Sequence, residues 1–317
     1  MQRFLVRKLL VLILMALAIS ALVFFSIRLS PVDPISYLAD PDSAISKDKL
    51  DELRAALGLN DPIIIQYFRW LFEVLRGNFG YSLMTGQPIA NILAQRVPAT
   101  LELAGLTFFL STVIGVGVGL FSAIKPGRIF DSISRIVAVI SIAVPEFFFG
   151  IILIQLFAYQ LGWLNPGGRE LPGDATFWDR APNVILPVAT LAFGLVGALI
   201  RYTRNSALDV VNKDYIRTAR SKGVRESQVY IGHVFRNSVG PVLVILVFRI
   251  PLLIGGSVIV EALFQWPGMG SLIVSSITSS DYPVVMITSM FVAVAILVAS
   301  FMLDIFKALA DPRVRME

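Results

Sequence analysis

Few side chains in this sequence are suited to covalent chemistry. His233 is the only histidine and cysteine is absent. That excludes thiol catalysis, disulfides, cysteine–metal sites and HExxH-type metal sites, and it leaves a histidine-based triad without support. No GxxxxGK[ST] run occurs, so the chain lacks the phosphate cradle needed to hydrolyse ATP. What remains of chemical interest is charge in apolar surroundings. Arg249 and Glu146 stand inside otherwise hydrophobic stretches, where a charge is costly unless it faces a cavity or a partner. Arg249 follows Pro241 by eight residues, roughly 12 Å of helix at about 1.5 Å per residue. Glu146 follows Pro145, a natural helix break. Two readings are open. Arg249 lines a route and attracts a carboxylate, with Glu146 as its resting partner or as a site for an amino group; or the two form a structural ion pair that fixes helix packing.

The elements that hold these charges are membrane helices. Of 317 residues, 56% are hydrophobic and 15% charged, with a mean hydropathy of +0.76, against roughly a quarter charged in soluble domains. The apolar residues fall in blocks near the 20 or so needed to cross a bilayer. These blocks are 9–27, 103–124, 136–161, 184–200, 242–260 and 283–303. Backbone groups in hydrocarbon must be satisfied internally, so the expected class is an all-α integral membrane protein of six transmembrane helices. The basic residues Arg3, Arg7 and Lys8 before the first block would suit a signal peptide, but Arg28-Leu29-Ser30-Pro31 offers no small–x–small cleavage site. An uncleaved first span is therefore expected.

Lys and Arg set the orientation. One side collects Arg3, Arg7 and Lys8; Lys125, Arg128 and Arg135; Arg201, Arg204, Lys213, Arg217, Arg220, Lys222, Arg225 and Arg236; and Lys307, Arg313 and Arg315. The short opposite loops hold Arg169 and Arg180, while the long 30–99 segment is discounted because long loops cross largely regardless of charge. Both termini are expected in the cytoplasm. The net charge of +5 is thus orientation charge, and no nucleic-acid partner is implied.

Two long connections stand out. In the outer 30–100 segment, Ser46 can cap a short helix carrying Leu50, Leu53 and Leu57 and stopping at Gly58. Asp61-Pro62 opens a second helix that ends at Gly77, with Tyr67, Phe68, Trp70 and Phe72 on or near it. This segment reads either as a lid on the spans or as a docking surface for an outside partner. The inner 201–240 segment is strongly basic, its acidic residues being Asp209, Asp214 and Glu226. It carries two amphipathic stretches, one through Val210, Val211, Tyr215 and Ala219 and one through Tyr230, Val234 and Phe235, with an elbow at Gly223. Composition permits a lever that moves the spans when pushed, or a linker held by anionic membrane lipid. Gly115, Gly117 and Gly119, and Gly255-Gly256-Ser257, read as close-packing sites between helices, the latter also as a possible bend.

The run Asp214-Tyr215-Ile216-Arg217-Thr218-Ala219-Arg220-Ser221-Lys222-Gly223 resembles the cytoplasmic signature of ATP-binding-cassette (ABC) importer permeases, in the DYxRTARxKG form of the dipeptide/oligopeptide/nickel group. Further stretches resemble the same group in the same order. They are Pro31-Val32-Asp33-Pro34, Gly77-Asn78-Phe79-Gly80-Tyr81-Ser82 and Arg96-Val97-Pro98-Ala99-Thr100-Leu101-Glu102. The others are Phe264-Gln265-Trp266-Pro267-Gly268-Met269-Gly270, Asp281-Tyr282-Pro283 and Asp311-Pro312-Arg313-Val314-Arg315. The resemblance covers the chain from end to end.

It implies a single permease domain over residues 1–317 with the type I importer (MetI-like) transmembrane fold, a B-type subunit in a bacterial or archaeal cell membrane. The implied partners are a homologous second permease, two cytoplasmic ABC ATPases and an extracytoplasmic substrate-binding protein. ATPase coupling would fall to Asp214, Tyr215, Arg217, Thr218, Ala219, Arg220, Lys222 and Gly223; no catalytic residue, metal or cofactor is implied in this chain. Peptides are the first substrate expected, with nickel chelates, glutathione and oligosaccharides carried by close relatives. Two departures from the broader EAAxxxG consensus narrow the group. Arg217-Thr218-Ala219 replaces the acidic residue and first alanine, so no glutamate-based contact carries over to Arg217. His233-Val234-Phe235-Arg236 stands where I-x-L-P is usual, with Pro241 five residues on. Other classes fit less well: a secondary transporter would need an internal repeat and broken mid-membrane helices, neither evident here. An intramembrane hydrolase would need a nucleophile and base inside the spans, and a receptor or scaffold would not need the 214–223 signature.

Overall fold

A computed structural model describes residues 2–29, 59–169, 177–256 and 258–310. The expected helix capped by Ser46, the Pro31–Pro34 motif, Ser257 and the terminal 311–315 motif lie outside the described residues.

Apolar runs and their punctuation produce the following order. Helix α1 is Gln2–Arg28, α2 is Ile63–Leu75, α3 is Ile89–Ile124 and α4 is Ile129–Ala143. Helix α5, Glu146–Leu153, runs on in π-helical winding over Ile154–Gln160. Helix α6 is Phe177–Val211 and α7 is Asp214–Ser221. The short α8, Glu226–Gln228, continues as a π-helical stretch, Val229–Phe235, into α9, Arg236–Gly256. Then come α10 (Val258–Leu263), α11 (Met269–Thr278) and α12 (Tyr282–Ala310). Among the described residues, five helices are long and apolar enough to cross a membrane, and six spans result when the bent α4–α5 pair counts as one, in agreement with the six apolar blocks.

The third span is broken at the point that Pro145 marks in the sequence, so the 136–161 block is not one straight helix. Its halves meet at 106°. The cause is local: Pro145 lacks an N–H and disfavours helical geometry in the residue before it, and Val144 is extended at φ −84, ψ 125.

The chain forms two compact units, Met1–Val97 with Leu272–Phe301 and Pro98–Ser271 with Met302–Glu317. In the first, α2 packs one face on α1. Phe24, Tyr67 and Met286 make its core, the Ser20 and Tyr67 hydroxyls are 2.9 Å apart, and Trp70 lies against Phe24. Phe68 and Phe72 point outward, so the aromatic set of this segment divides between packing and exposure. Pro62 is the N-cap of α2, so the helix expected to open at Asp61-Pro62 has Ile63 as its first residue. The Gly-Asn-Phe-Gly-Tyr-Ser run meets the Asp-Tyr-Pro run: Ser82 Oγ donates to Asp281 Oδ2 at 2.5 Å and Leu83 N–H donates to Oδ1 at 3.1 Å.

The second unit is organised on α6, 78% of whose apolar window is buried; it packs against α4, α5 and α9. Small residues permit the approach. A methyl at Gly115 would strike Leu199, and one at Gly119 would strike Thr203 and the Ile200 carbonyl, whereas Gly117 has open space. Two of the three close-packing glycines expected in the second span therefore serve that role.

Candidate functional site

Glu146 is the first residue of α5, placed there by the Pro145 break. Arg249 lies in α9, two residues before Pro251. Both are partly buried, and together with Ser141, Gly194, Arg201 and Tyr202 they line an open cavity of about 480 Å³. Gly194 is what lets the carboxylate lie against α6, because any Cβ there would collide with Glu146 Oε1. The two charges attract across the cavity, yet among the described residues no ion pair within 4.0 Å joins them. Arg201 and Tyr202, from the last third of α6, add a second guanidinium and a half-exposed phenol; the guanidinium carbon lies 5.7 Å from the centre of the Tyr202 ring. Arg201 entered the sequence reading only as orientation charge. Its place at the cavity depends on α6 running unbroken from Phe177 past its own apolar block to Val211.

A cavity with guanidinium groups beside a lone carboxylate can hold a molecule carrying both a carboxylate and an ammonium group. Guanidinium binds carboxylate in a planar fork, and Glu146 complements a cation. The one aliphatic hydroxyl in the lining, Ser141 Oγ, donates to the Ala138 carbonyl at 3.1 Å, and the charged groups suit recognition.

The basic 212–235 segment is the second feature. Helix α7 opens after Lys213, and Thr218 Oγ1 bonds back to the Asp214 carbonyl at 3.0 Å. Its end is a Schellman motif: Gly223, at φ +76, donates its N–H to the Arg220 carbonyl at 2.9 Å, and Val224 N–H donates to the Ala219 carbonyl at 3.2 Å. The eight signature residues are thereby sorted. Ile216 is buried and Ala219 packs inward, in a core with Ala123, Ala207, Val229, Tyr230 and Val234. Asp214, Tyr215, Arg217, Thr218, Lys222 and Gly223 are exposed. Arg220 acts as a strut: its Nε donates to Glu226 Oε1 at 2.8 Å, and that carboxylate holds the guanidinium above its ordinary pKa. Tyr230 donates to the Ile124 carbonyl at 3.1 Å, tying the segment to the end of α3. The second expected amphipathic helix is instead the π-wound start of the fifth span. Val229, Tyr230 and Val234 stay buried there, and Phe235 turns outward, because π winding changes the register of the apolar face.

Other residues escaped the sequence reading as a set. Asp131, 1% exposed, accepts both Arg204 Nε at 2.5 Å and a terminal nitrogen at 2.9 Å, with Gly127 N–H at 2.8 Å. At the other end, the 96–102 and 264–270 motifs interlock. Thr100 Oγ1 donates to the fully buried Glu261 carboxylate at 2.9 Å and accepts Met269 N–H at 2.8 Å, and Trp266 Nε1 donates to the Ala99 carbonyl at 2.8 Å. Glu102 pairs with Arg169 at 2.8 Å. An acidic residue three before Phe264 in an apolar helix was a readable signal for Glu261. Nothing in the sequence alone joined Asp131 to Arg204.

Comparison with known proteins gives the family. Residues 115–316 match the family described as binding-protein-dependent transport system inner membrane component, and residues 1–104 match its N-terminal family. The chain is 39% identical over 316 residues to the oligopeptide transport system permease protein AppB of Bacillus subtilis, covering 99% of each chain. It is 34% identical to a putative peptide permease protein of Brucella suis and 33% identical to the glutathione transport system permease protein GsiC of Escherichia coli, again with 99% of each covered. The apolar helices, the basic elbow after α6 and these matches over nearly the whole length lead to one conclusion: this chain belongs to the permease family of binding-protein-dependent ABC importers and is a multi-pass translocation subunit of the peptide group.

Proposed function

We propose that this permease carries peptides, and that the Glu146–Arg249 cavity is a point on their route where the termini are recognised. The observation that carries the reading is the open cavity itself, which sets a guanidinium and a carboxylate on facing helices without joining them in an ion pair. A structural pair would be closed on itself, since an isolated charge in a span is stable only against a partner or water. Relatives named for oligopeptides, peptides and glutathione support the substrate class; all of these molecules carry an ammonium group and at least one carboxylate.

In this reading both termini and the 201–240 segment face the cytoplasm, supported by the Lys and Arg distribution. The exposed face of α7, carrying Asp214, Tyr215, Arg217 and Thr218, meets an ATPase subunit. Arg220, Glu226 and Tyr230 make the elbow stiff enough to pass that subunit's movement to α3 and α9. A second permease completes the pathway, and an outside binding protein delivers the peptide. ATP hydrolysis belongs to the partners, in keeping with the missing phosphate-binding loop.

The test is reconstitution in vesicles. Uptake of a labelled di- to pentapeptide against its gradient is expected only with ATPases, second permease and binding protein all present. Uphill uptake by this chain without an ATPase overturns the reading.

A further inference from the structure

The turn between α3 and α4 carries a groove separate from the Glu146–Arg249 cavity. Phe121 and Ile124 from the last turn of α3, Lys125 and Arg128 from the turn, and Phe130 from the first turn of α4 line about 390 Å³ of open space. Phe121 is 64% exposed and Phe130 52%. Phe121 belongs to an apolar helix of membrane-crossing length, and Phe130 to the first half of the bent α4–α5 pair, which reaches that length and composition only as a pair, so hydrocarbon rather than water is the medium that covers them.

The charge at the mouth of this groove is one-sided. Asp131 is the acidic residue nearest in sequence, and its carboxylate is turned inward, gripped by Arg204 and the Gly127 N–H. Arg135 reaches the same carboxylate at 4.0 Å. Among the described residues no ion pair engages the side chain of Lys125 or Arg128. An apolar groove at a span end, closed by two cations, is chemically complementary to one kind of molecule: the acyl chain lies along the phenylalanine rings, and the phosphate sits between ammonium and guanidinium. A zwitterionic lipid brings its own cation to that mouth and loses the advantage.

We propose that this groove is a binding site for one anionic phospholipid of the cytoplasmic leaflet. The leaflet assignment rests on the orientation given above; the site itself does not, and the test is chosen accordingly. Native mass spectrometry of the assembled, detergent-purified transporter would titrate phosphatidylglycerol, phosphatidylcholine and the soluble headgroup glycerophosphoglycerol. Two basic side chains near an anionic headgroup are expected to favour phosphatidylglycerol over phosphatidylcholine by roughly tenfold or more. The double substitution Lys125→Gln, Arg128→Gln is expected to remove that preference. Equal binding of the two lipids by the unaltered transporter overturns the proposal, as does a double variant that keeps the preference. Full competition by the headgroup at the concentration of the lipid also overturns it, because it would mark an anion site without an acyl groove. Should the double variant fail to assemble, the ratio measured on the unaltered transporter and on Lys125→Gln alone decides. A reversed membrane topology would leave all these results standing.

Discussion

Arg204 holds Asp131 through both carboxylate oxygens, with Arg204 16% exposed and Asp131 1%. The pair fastens the start of α4 to the long helix that leads into α7, so it lies on the mechanical path between the proposed ATPase contact and the spans. Removing one partner leaves a buried charge uncompensated, which typically costs about 3–5 kcal/mol. Asp131→Ala is therefore expected to lower the thermal unfolding temperature of the purified complex markedly, and the double change Asp131→Leu, Arg204→Met to harm it less than either single loss. Equal damage from the single and double variants would mean that the pair contributes no charge compensation.

Arg249 and Glu146 give a functional prediction. Arg249→Gln keeps most of the side-chain volume and removes the charge that would attract a substrate carboxylate. Uptake in reconstituted vesicles is expected to fall roughly tenfold, equivalent to about 1.4 kcal/mol, with assembly and basal ATP hydrolysis unchanged. Glu146→Gln should weaken uptake most for peptides with a free amino terminus and least for amino-blocked ones. Unchanged uptake by a correctly assembled Arg249→Gln transporter would remove the recognition role.

The sorting of the α7 signature predicts two distinct failures. Tyr215→Ala with Arg217→Ala changes side chains that are largely exposed. It should leave folding intact while ATP hydrolysis no longer responds to loaded binding protein. Gly223→Val forces a β-branched residue into φ +76, at a cost of about 1–3 kcal/mol. It should be read first as weaker co-purification of the ATPases and heightened proteolysis at the elbow.

The Thr100–Glu261 latch predicts a stability effect without a recognition effect. A methyl at Gly268 would fall on the Glu261 carboxylate, so Gly268→Ala is expected to reduce the yield of assembled transporter sharply. Trp266→Phe keeps an aromatic ring, gives up the pyrrole half of the buried indole and loses the bond to the Ala99 carbonyl; the orphaned acceptor alone should cost about 1–3 kcal/mol. Peptide affinity in whatever complex still assembles should not move, and a shift in substrate preference would place this region in recognition.

Hydropathy alone fixed the all-α class, the six apolar blocks and the charges within them, because a bilayer imposes a length and a polarity that one stretch of chain must satisfy by itself. The elbow at Gly223 was equally legible, since a helix stop and a left-handed residue are local events. The 106° break in the third span was half legible: Pro145 announced a break, and only the fold gave its angle. What tertiary structure decided are the pairings across long separations in sequence. Ser82 meets Asp281, Thr100 meets Glu261, Asp131 meets Arg204, and Glu146 faces Arg249 across a cavity rather than touching it. A carboxylate in a sequence states that a partner is needed; which partner it finds depends on how closely helices approach, and that is set by glycines such as Gly194 and Gly119, whose facing neighbours no local pattern specifies.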